Sequence, residues 1–103
     1  MGFAEDFDVT QNIKLVEMLK SRLLTATADL YANLAEDEPN VVERGEILSN
    51  MIIITYMLSN RLGLSYSSID IKAVKKLRLE ILEENQYMHD DMSSLLRHLY
   101  REF

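Results

Sequence analysis

Wound as a helix, the stretch Met51-Ile52-Ile53-Ile54-Thr55-Tyr56-Met57-Leu58 is apolar on nearly every side, and no other feature limits the fold as much. A helix of that kind needs neighbours on most of its faces. Its β-branched residues would also suit a buried strand. Helix is the better reading because the pattern runs on into Ser59-Asn60-Arg61-Leu62, with Gly63 placed to end it in left-handed backbone. A chain of 103 residues has little surface with which to surround such a segment. The expected solution is an all-α oligomer in which a second copy shares the second or the last helix. A compact monomeric bundle is the alternative.

The rest of the chain divides into helices around this one. Residues 1–8 are acidic and aperiodic and are expected to form a flexible tail, leaving 9–103 as one domain. Asp8 or Thr10 is placed to cap a long first helix. Its buried stripe reads Val16, Leu19, Leu23, Ala26, Leu30 and Leu34, with a bend allowed by Thr25 and Thr27. Glu36-Asp37-Glu38-Pro39-Asn40 ends it, and Asn40 is a good cap for a second helix from about Val41 to Leu62. Ser67-Ser68-Ile69-Asp70 reads as the start of a third helix, roughly Ile69 to Gln86, with Ile71, Val74, Leu77 or Arg78, and Ile81 inward. After His89-Asp90-Asp91 a fourth helix carries Met92, Leu95, Leu96, Leu99 and Phe103. The fold class is therefore a small bundle of about four helices.

Composition removes several functions. The formal charge is −6, which is unsuited to general nucleic-acid binding, where Lys and Arg must neutralise phosphates. Cysteine is absent, so disulfides and thiolate chemistry are out. The apolar run is too short to span a bilayer, so no membrane partner is expected. The start, Met1-Gly2-Phe3-Ala4-Glu5-Asp6, lacks the basic-then-apolar pattern of a secretory signal, and a cytoplasmic location is the expectation.

The segment Glu46-Ile47-Leu48-Ser49-Asn50-Met51-Ile52-Ile53-Ile54, running on to Asn60-Arg61-Leu62-Gly63-Leu64, and the later Lys76-Leu77 pair resemble the MazG-like branch of the all-α nucleoside triphosphate pyrophosphohydrolases. The resemblance covers roughly residues 13–80 and lies in order, spacing and apolar pattern. It implies a magnesium-dependent site built from a Glu-Glu-x-x-Glu motif on one helix and Glu-x-x-Asp on the next. Magnesium takes hard oxygen ligands and shares them with substrate phosphates, so several carboxylates must converge across the helix pair. Aligned on this chain, the first motif falls on Thr25, Ala26 and Asp29, and the second on Ile47 and Asn50. Of these, Asp29 alone is an acid. Glu43 and Glu46 precede Ile47 and Asn50 by one helical turn on the same face, which offers a shifted metal site of Asp29, Glu43, Glu46 and Asn50. Against it, Glu43 stands three residues after Asn40, where it can close a capping box, and Glu46 suits the helix dipole as a solvated charge.

A second candidate is the cluster Lys72, Lys75, Lys76 and Arg78, a positive patch near a helix start in an acidic chain, suited to a phosphate. Lys76 also matches the Lys-Leu pair of the resemblance. The plainer reading is a solvated face, with Lys76 four residues before Glu80. His89 and His98 are nine apart and have no second ligand at metal-binding spacing. Ser93 and Ser94 have no positioned base, and no glycine-rich phosphate loop is present.

Three functions stay open. The first is a MazG-like domain with reduced or lost catalysis that keeps a nucleotide- or partner-binding role. The second is an active, divergent magnesium-dependent pyrophosphohydrolase using the shifted carboxylates. The third is a helical adaptor whose last helix docks on another protein. The acid count at the two motifs favours the first.

Overall fold

The computed structural model describes residues 2–83 and 87–101. Among them every regular element is a helix: α1 (Gly2–Leu34), α2 (Val41–Arg61), α3 (Tyr66–Leu82) and α4 (His89–Arg101). The all-α class expected from periodicity is what the chain adopts. No described helix is long and apolar enough to cross a membrane. The chain divides into two compact units, Met1–Leu64 with α1 and α2 and Ser65–Phe103 with α3 and α4.

In the first unit α1 and α2 lie antiparallel, held at both ends. At one end the Asn12 side-chain amide donates to the Arg61 carbonyl at 3.3 Å. At the other, the Asn33 amide donates to the Asn40 carbonyl at 3.1 Å, and its side-chain oxygen accepts from Arg44 Nε at 2.7 Å. Between these ends Leu19, Ala26 and Ile54 form a buried centre, with Leu23, Met51 and Leu58 packed against it.

Asn33 is 1% exposed and takes the inward position expected of Leu34, which is 55% exposed. The seven-residue steps Leu19, Ala26, Asn33 explain this, because two helical turns bring a side chain back to nearly the same face. A buried amide is tolerable only with its bonds made, and here they are. α1 starts at Gly2, so the residues expected as a loose tail are helical. The helix also continues unbroken through Thr25 and Thr27, the Thr27 hydroxyl donating to the Leu23 carbonyl at 2.8 Å. That back-bond satisfies a hydroxyl which would otherwise compete with the helix.

The ends of α2 follow the local chemistry of the sequence. The Asn40 side-chain oxygen accepts from the Glu43 N–H at 3.1 Å, and its amide donates to Glu43 Oε2 at 3.1 Å. Gly63 has φ +91°, conformation that costs an L side chain roughly 1–2 kcal/mol. The Gly63 N–H donates to the Asn60 carbonyl and the Leu64 N–H to that of Ser59, a Schellman closure.

In the second unit Ser65 caps α3, accepting from the Ser68 N–H at 3.1 Å; the cap expected at Ser67 or Ser68 comes earlier. The helix ends at Leu82, and Gln86 and Phe103 lie outside the described residues. Val74, Leu77 and Met92 are buried, and Ile81, Leu96 and Leu99 are half-buried. Asp90 and Asp91 fall inside the first turn of α4, where the helix dipole favours acids.

The Asn33 contacts carry a testable consequence. Replacing Asn33 by Ala leaves the Arg44 guanidinium without its buried acceptor and removes one donor from the Asn40 carbonyl. Urea denaturation should show a loss of about 1–3 kcal/mol, the cost of stranding a buried polar partner. A loss below half a kcal/mol would mean that these bonds merely replace equivalent ones to water.

Candidate functional site

The antiparallel pairing of α1 and α2 leaves an open groove along one flank, with a volume of about 410 Å³. Its α1 wall is Ser21, Arg22, Thr25 and Asp29; its α2 wall is Asn50, Ile53 and Met57; Leu19, Ala26 and Ile54 form the floor. Arg22, Thr25 and Asn50 are exposed, whereas the floor belongs to the buried centre of the unit. That volume lies within the range of small-ligand sites.

The groove gathers the positions at which the resemblance places metal-binding residues. Thr25, Ala26 and Asp29 from α1 and Asn50 from α2 all line it. Ile47, the remaining position, is buried at 8% exposure and is absent from the lining. Antiparallel packing explains the convergence: with Asn12 on Arg61 and Asn33 on Asn40, residue 22 of α1 lies level with the middle of α2, near Asn50, and residue 29 level with its first turn. Asp29 therefore marks one end of the groove and Met57 the other, with Arg22 and Asn50 between them.

The shifted carboxylates do not join the lining. Glu43 is exposed and engaged with the Asn40 side chain, its carboxylate accepting from the Asn40 amide. Glu46 is exposed one turn before Asn50 and makes no contact with the groove floor. Among the described residues no three His, Cys, Asp or Glu side chains converge as a metal site. The groove itself offers one carboxylate, one side-chain amide and two hydroxyls. Magnesium demands near-octahedral oxygen ligation and is usually anchored by at least one or two carboxylates beside phosphate and water, so this donor set is a weak holder for it.

The α3 cations are divided. Lys75 and Arg78 line a small groove with Ile71 and Val74, while Lys72 and Lys76 are exposed outside it. The Arg78 guanidinium lies 5.0 Å from the centre of the Tyr100 ring, a cation–π contact that ties α3 to α4. Because α3 begins at Tyr66, Lys72 already stands in its second turn. The unpaired backbone donors of the helix start are spent before the cluster begins, so the expected help from the helix end is missing. His89 Nδ1 is 3.5 Å from Asp90 Oδ1, and His98 is exposed.

Arg22 and Ser21 were not among the residues singled out from the sequence. A signal for them existed: Arg22 precedes Ala26 by four and Asp29 by seven, so all three share one side of α1. Among the described residues Arg22 and Asp29 make no ion pair, whereas Glu17 and Lys20 are paired at 3.0 Å.

Comparison with known proteins gives one match. A family model described as the MazG-like family matches residues 9–95, which covers α2, α3, most of α1, the first part of α4 and every residue that lines the groove. Neither a curated protein nor a solved structure matches the chain. With a match over most of its length, and with the helices and turn that carry the resemblance in place, the chain belongs to the MazG-like family.

Proposed function

We propose that this is a MazG-like helical domain in which pyrophosphohydrolase catalysis is reduced or lost and a nucleotide-binding groove is retained. One observation carries the reading. The groove between α1 and α2 has the form of a ligand site, yet a single carboxylate, Asp29, faces it alongside Thr25, Ala26 and Asn50. Pyrophosphate release from a triphosphate requires the charge on the bridging oxygens to be offset, which the family's fold does with metal held by several acids. One carboxylate and one amide supply little of that. An active enzyme would need Glu43 to leave its cap and Glu46 to turn toward Asn50.

Oligomerisation belongs to the same reading. Leu48 and Ile52 lie four apart on the side of α2 away from the groove, and Ile52 is 60% exposed. On this reading a second copy of the chain covers that flank, so Ile53 and Met57 stay available to a ligand. Apolar patches of this kind are seldom left to water.

Two measurements test these statements. Pyrophosphate release from a panel of nucleoside and deoxynucleoside triphosphates, with magnesium, should not rise above that of a buffer control. Turnover that disappears in Glu46→Ala or Asp29→Ala would establish the shifted carboxylates as a working site. Light scattering at micromolar concentration should give at least twice the 12.0 kDa chain mass. Ile52→Glu should shift that mass toward the single chain, and a wild-type chain already at 12.0 kDa would remove the dimer from the reading.

A further inference from the structure

We draw no further inference here: the strongest candidate, the exposed apolar face of α1 that carries Ile13, Leu24 and Tyr31, is an unpartnered helix face, and nothing in the structure shows what covers it.

Discussion

The register of α1 against α2 depends on one buried amide. Asn33 holds the Asn40 carbonyl and the Arg44 side chain, and through them it holds the turn and the first turns of α2. Apolar packing alone would tolerate slippage, since α2 offers an apolar side chain at almost every step of its middle. A hydrogen-bonded amide does not, because sliding by one turn would leave it buried without partners. Asn12 on Arg61 sets the far end of the same pair. With the register held, Arg22 and Asn50 lie level in the middle of the groove, Asp29 toward one end and Met57 toward the other. The site's chemistry is thus a consequence of a structural contact that itself lies outside the site.

Much of this was legible in the residues. Asn40 and Gly63 bracket α2 because their chemistry is local: a side-chain oxygen reaches an N–H three residues on, and a glycine accepts positive φ. Leu19, Leu23 and Ala26 follow from periodicity. The start of α1 was not legible, because an acidic, aperiodic stretch has no stripe, although its propensities allow a helix. Nor was Asn33, since a hydrophobic stripe read by residue type prefers its neighbour Leu34. Its position continues the seven-residue steps from Leu19 and Ala26, but an amide is tolerable there only because of partners seven and eleven residues away, which a stripe of apolar residues does not show.

The candidate site was half legible. Aligning the resemblance placed Thr25, Ala26, Asp29 and Asn50 together, and the groove contains all four. Arg22 escaped attention because the resemblance directs the eye to acids, and a lone arginine on a long helix is ordinarily a solvated charge. Its place in the groove comes from the α2 wall, which only the folded pair brings alongside. The α3 cations differ in surroundings: Lys75 and Arg78 line a small groove, and Lys72 and Lys76 stand on open surface.

Two positions at which the resemblance places acids show what the exchange of residue type does to the helix pair. Ile47 is buried and Ala26 lies in the buried centre with Leu19 and Ile54. Carboxylates there, without a metal, would face one another across a narrow seam and either repel or take up protons, and each would lose hydration on burial. An isoleucine removed from water contributes about 1.5–3 kcal/mol instead, so the same seam becomes packing. A helix pair closed in this way is held by apolar packing along its seam. What it keeps is an open flank whose polar groups are spaced along the groove rather than gathered at one point. The apolar seam at Ala26 and Ile47 and the open groove beside it are therefore one packing of α1 on α2, seen from its core and from its surface.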